Sequence, residues 1–175
     1  MASDRYCRFM TMVRRKAGAW QRMPWSEKGW FLVAYPLLGL ARLALLSVPF
    51  RYIAPRLGQR LENVAVIPLA TGRQITQAWH IGRAIRIAAC YTPWESKCLA
   101  QAMVARVLLG LRRLPYALYL GVRKDDAAGM AAHAWVCTGA AAVAGGYGFG
   151  QYTVVGTFVS KGIARGQCTE VGKTL

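Results

Sequence analysis

The chain has 175 residues, enough for one domain with a full core and no dependence on disulfide staples. Its 23 Lys and Arg against 7 Asp and Glu give a net charge of +16, which favours an anionic partner: nucleic acid, a membrane surface or an acidic peptide. Hydrophobic residues make up 55% and charged ones only 17%, so the chain is more apolar than an average soluble domain.

Five cysteines (Cys7, Cys90, Cys98, Cys137 and Cys168) are an odd number with no CxxC pair. That argues against a disulfide framework and a zinc knuckle, and for a reducing compartment. With two His and no HExxH motif, no metal site and no cofactor are expected.

Residues 1–30 form a basic, Trp-rich arm that reads as solvated and partly helical, or alternatively as a segment that docks on a membrane or a partner. Residues 31–50 are the most apolar stretch, broken only by Arg42, Ser47, Pro36, Gly39 and Pro49. Their length just matches the ~20 apolar residues a bilayer span needs. Arg42 near the middle, basic residues at both ends and the lack of a cleavage site favour instead a buried or surface-docked helix, with a peripheral membrane contact. Pro36 is expected to start or kink this helix, leaving 37–46 as its regular part. Residues 51–72 read as a Pro- and Gly-punctuated connector. Residues 74–89 read as a second helix, with Ile75, Ala78, Trp79, Ile81 and Ile85 near helical spacing. His80 lies within it and is assigned no chemistry.

The chain is organised around Cys98. A Pro-containing turn precedes it, and an apolar run from Cys98 to Leu111 follows and stops at Pro115. Two registers are open for this helix. Thr92 with Glu95 fits a capping box with Pro93 at the first helical position. Alternatively Ser96 is the cap and Cys98 sits in the first turn, where the helix dipole and free backbone N–H groups favour thiolate and an oxyanion. The second is preferred. Alone, such a cysteine is most often a small buried hydrophobe.

After Pro115 the texture changes to strands: 116–122, a charged loop at 123–129, a strand around His133, then 140–144, a glycine-rich loop at 145–150, and 152–159. The tail to residue 175 is polar and expected to fray. Helices first and an antiparallel meander afterwards make an α+β domain, with 31–160 as its body. His133, Trp135 and Cys137 share one face of their strand. A lone Cys at a helix start and a lone His on a later strand are the two parts of a thiol nucleophile and its base.

The combination Cys98-Leu99 with Ala102, Leu120-Gly121-Val122, then Ala132-His133-Ala134-Trp135-Val136, and Tyr152 to Phe158 resembles the stand-alone leader peptidase of lasso peptide biosynthesis, a transglutaminase-like cysteine protease family. The likeness spans about residues 30–160 and rests on the order and spacing of these motifs together. It implies a transglutaminase/papain-like core and a cytoplasmic enzyme, with Cys98 as nucleophile and His133 as general base. It implies as partners a precursor leader, a separate leader-recognition protein and an ATP-dependent macrolactam synthetase, with no nucleic acid. Only about 30 residues precede the first long helix, too few for a fused winged-helix recognition domain.

The acid that orients the imidazole in better-known members is missing: no Asp or Glu occurs from 127 to 169. A turn centred on Gly139 pairs residues whose numbers sum to about 278, which sets Gly145 opposite His133. The orienting group is then a backbone carbonyl, Gln151, or a carboxylate from elsewhere, with Glu95, Asp125 and Asp126 as candidates. Two other classes are also consistent with the residues: a non-catalytic membrane-associated protein anchored through 31–50, and a nucleic-acid binder, which lacks any RNP, KH or helix-turn-helix signature.

Overall fold

The computed structural model describes residues 25–61, 66–125, 129–146, 148–160 and 168–170. The described residues form four α-helices and a five-stranded antiparallel sheet, an α+β fold. In chain order they are α1 (Trp25–Ser47), the single turn α2 (Phe50–Ile53) with a 3-10 turn (Ala54–Arg56), β1 (Gln59–Leu61), β2 (Val66–Pro68), α3 (Gly72–Tyr91), α4 (Cys98–Leu111), β3 (Ala117–Asp125), β4 (Gly129–Thr138), β5 (Ala141–Ala144), β6 (Thr153–Val159) and β7 (Cys168–Glu170). The main sheet runs β1-β6-β3-β4-β5, and β2 pairs with β7 in a separate ribbon.

α1 begins at Trp25 and runs straight through Pro36, well ahead of the expected 37–46. Pro36 is tolerated because it sits on the exposed face, where water takes over the carbonyl that its missing N–H leaves unbonded. The buried seam is Glu27, Phe31, Ala34, Leu38 and Ala41, at helical spacing. α3 is longer than its apolar pattern because Thr71 and Gln74 form a capping box: Thr71 N–H donates to Gln74 Oε1 at 2.8 Å. α4 ends in a turn at Arg113, at φ 51°, and Leu114 N–H returns to Leu109 O at 2.9 Å.

Alternation along the strands divides the core in two. Leu118, Ala134, Val136 and Phe158 face the helices. Ala117, Tyr119, Trp135, Cys137 and Val159 face the other way with Val66 of β2, where the Tyr119 hydroxyl donates to the Val66 carbonyl. The expected connector 51–72 holds α2, β1 and β2, and Arg123 to Asp125 belong to β3 rather than to a loop. The tail is not wholly frayed, since Cys168–Glu170 pairs with β2. The arm preceding residue 25 lies outside the described residues.

Candidate active site

Cys98 is the first residue of α4, and Lys97 before it makes no side-chain cap. The first-turn amides of Cys98 and Leu99 have no intrahelical acceptor. The preferred register holds in placing Cys98 in the first turn, but the cap position falls on Lys97, not Ser96. Ser96 and Thr92 are used elsewhere: Thr92 Oγ1 bonds Ser96 Oγ at 2.9 Å and Ala89 O at 2.9 Å, closing the turn between α3 and α4. Gln101 Nε2 donates to Ser96 O at 2.7 Å and ties that turn down to α4.

Trp94 anchors the same turn on α1. Its ring lies over Gly39, where an added Cβ would sit 2.9 Å from Cζ2, and its centroid is 5.8 Å from that of Tyr35. The apolar N-terminal helix thus fixes the approach to Cys98, which is half-buried at the edge of the helix-side core.

His133 is half-buried on β4, opposite Gly121 of β3. Its Nε2 lies 2.7 Å from the carbonyl oxygen of Gly145. A carbonyl only accepts, so Nε2 carries the proton and Nδ1 is left with its lone pair. The ring also stacks on Tyr152 (centroids 5.0 Å) and on Trp135 (5.9 Å). Gly121 makes this possible, because a Cβ there would meet the Trp135 ring at 2.7 Å and Tyr152 Cβ at 2.8 Å. Arg123 lies over the outer side of Tyr152, 5.1 Å from its centroid.

β5 pairs only with Val136–Thr138, so His133 lies beyond its end, at an open edge of the sheet. α4 packs over β4 and β5, so Cys98 lies on the helix side of the sheet. α4 covers the Ala134 and Val136 face, whereas His133 shares the Trp135 face. Among the described residues no hydrogen bond joins the thiol to the imidazole.

Glu95 is not brought to the imidazole. It is 66% exposed, with Lys97 Nζ at 3.1 Å and Arg42 Nη2 at 4.0 Å from Oε2, and its carboxyl is held below the usual range first by the Lys97 hydrogen bond. Asp126 and the Asp125 side chain lie outside the described residues. Gln151 is exposed in the turn after the glycine-rich loop, its backbone N–H bonded to Gly148 O. Of the other thiols, burial pushes Cys137 up to about 12, which leaves it protonated and inert, and Cys90 is exposed on α3. Sequence reasoning missed the aromatic support from Tyr152; the alternation that pairs His133 with Trp135 was its only signal.

A thiol at a helix start and an imidazole bonded to a backbone carbonyl on an antiparallel sheet thus belong to one α+β domain. Residues 44–157, more than half of the chain and including both Cys98 and His133, match the model of the transglutaminase-like superfamily. The chain belongs to that superfamily, which includes cysteine peptidases and transglutaminases. Comparison with curated proteins and with solved structures gives no match.

Proposed function

We propose that this protein is a cysteine peptidase that removes the leader from a ribosomally made lasso peptide precursor in the cytoplasm. In this reading it acts with a separate leader-recognition protein and ahead of a macrolactam synthetase. Superfamily membership supports thiol acyl chemistry. The leader-peptidase assignment rests on the Cys98-Leu99, Leu120-Gly121-Val122 and His133-Ala134-Trp135-Val136 motifs. The observation that supports the mechanism is the Gly145 carbonyl on His133 Nε2, which leaves Nδ1 free to act as the base in this reading.

In the reaction, Nδ1 takes the proton from Cys98 Sγ and the thiolate attacks the carbonyl carbon at the end of the leader. The first-turn amides of α4 hold the resulting oxyanion. The C–N bond breaks as His133 returns the proton to the departing core amine. Water then adds to the thioester carbon, gives its proton to Nδ1, and the leader leaves as a carboxylic acid while the thiol is restored. Attack requires Cys98, on the helix side of the sheet, to meet Nδ1 past the end of β5, where β4 has an open edge.

Precursor incubated with this protein and the recognition protein, followed by mass spectrometry, tests the reading. Release of leader and core as two free peptides supports it. Intact precursor, or precursor joined to an added amine with ammonia lost, overturns it in favour of a non-peptidase activity.

A further inference from the structure

α1 has two faces suited to different surroundings. Its inner seam is buried against α3 and α4. Its outer face shows Leu32, Leu40, Leu43 and Leu46, each 60% to 69% exposed, and the apolar run continues past the helix through Val48 and Phe50. A solvated helix face carries Glu and Lys, yet Lys28 and Arg42 are the only charged residues from 28 to 47. Arg42 is directed to Glu95, away from such a role.

In the sequence, basic residues flank this stripe on both sides. Arg51, Arg56 and Arg60 are exposed beyond its C-terminal end. Residues 1–24 before it carry six Arg or Lys against a single Asp. A protein partner or a second copy would cover the leucines without needing cationic groups at both ends. An interface with anionic headgroups above an apolar layer matches both features at once.

α1 is long and apolar enough to cross a bilayer. Its inner face opposes crossing. Phe31, Ala34 and Leu38 are packed in the core, and Glu27 is fully buried with Oε1 2.8 Å from His80 Nδ1 and 3.2 Å from Arg83 Nη1. A span would expose this carboxylate to lipid and strip the helix from the domain.

We propose that the protein docks peripherally on an anionic phospholipid surface, with α1 lying in the plane of the interface. Leu32, Leu40, Leu43 and Leu46 enter the acyl boundary, and Arg51, Arg56 and Arg60 meet the phosphates. Docking leaves the Cys98 turn, which packs on α1 through Trp94 and Gly39, on the protein side of the helix.

Vesicle flotation of the full chain tests this independently of any enzymatic activity. The probes are vesicles of phosphatidylcholine alone and vesicles with about one-third phosphatidylglycerol. The wild type is expected to float with the anionic vesicles, to be released by salt, and to remain unbound with neutral ones. Leu40→Glu/Leu43→Glu should reduce bound protein at least about tenfold with an unchanged unfolding midpoint, because both side chains already face water. Arg51→Glu/Arg56→Glu should do the same without touching the leucines. A wild type that stays unbound with both vesicles overturns the proposal, as does retention through a carbonate wash, which marks a span. An unbound protein that elutes as a dimer split by Leu40→Glu overturns it too and makes the stripe a self-association face.

Discussion

His133 Nε2 and the Gly145 carbonyl oxygen are 2.7 Å apart, so a backbone group, not a carboxylate, meets this ring nitrogen. A carbonyl fixes the tautomer as a carboxylate does, without adding negative charge beside the ring. Gly145 is at φ +73°, and a Cβ there would strike the Ala134 carbonyl and come within 3.0 Å of Trp135 Cβ.

Gly145→Ala is therefore expected to displace the carbonyl and lower the single-turnover cleavage rate by about a hundredfold, the scale of a misplacement near 1 Å. Gly146→Ala, where nothing lies within 4 Å of the added Cβ at a similar φ of +67°, controls for backbone strain alone. Nitrogen chemical shifts of His133 should report the Nε2–H tautomer in the wild type and a mixture in Gly145→Ala. Equal rates for wild type and both variants would remove Gly145 as the positioning residue.

Glu95→Gln is expected to leave the cleavage rate within about twofold, because an exposed ion pair contributes little. The Lys97 hydrogen bond that lowers the Glu95 carboxyl favours the ionised form. Its small contribution to stability is thus present above the ordinary carboxylate value and fades as pH falls through the folded one. A tenfold slower Glu95→Gln would return Glu95 to the role of orienting acid.

Two glycines of α1 should respond in opposite directions. Gly29→Ala meets nothing within 4 Å and should stabilise the protein by about 0.5–1 kcal/mol in urea unfolding, as a helix interior gains from alanine. Gly39→Ala pushes on the Trp94 ring 2.9 Å away and should destabilise by about 1–3 kcal/mol. It should also slow cleavage, since Trp94 holds the turn that leads into Cys98. Two stabilising substitutions would show that Trp94 has room to move.

The thiols should separate by reactivity. Cys137 is fully buried and pushed up to about 12, so iodoacetamide should leave it unmodified in the folded protein while Cys98 is alkylated. Peptide mapping at neutral pH checks this, and rapid labelling of Cys137 would mean that the β2–β7 side of the sheet opens.

The sequence carried the elements that have a period and the residues that have chemistry. The Pro93 turn and the apolar run placed Cys98 at a helix start, and alternation placed His133 and Trp135 together. Pro36 misled because its effect depends on which face it occupies, which only packing decides. β1, β2 and β7, at three residues each, are too short to show a period. The expected β4–β5 register shifted by a bulge, with Val136 opposite Ala144 but Cys137 opposite Ala142. Gly145 still reaches His133, through its carbonyl, a group that every residue carries and no sequence singles out.

Single-turnover cleavage of precursor by Cys98→Ala, with the recognition protein present, tests the central claim most directly. Cys98→Ala is expected to yield no detectable core peptide while it still binds the recognition protein as the wild type does. Cleavage by Cys98→Ala at the wild-type rate would contradict it and move the search for a nucleophile to Cys90.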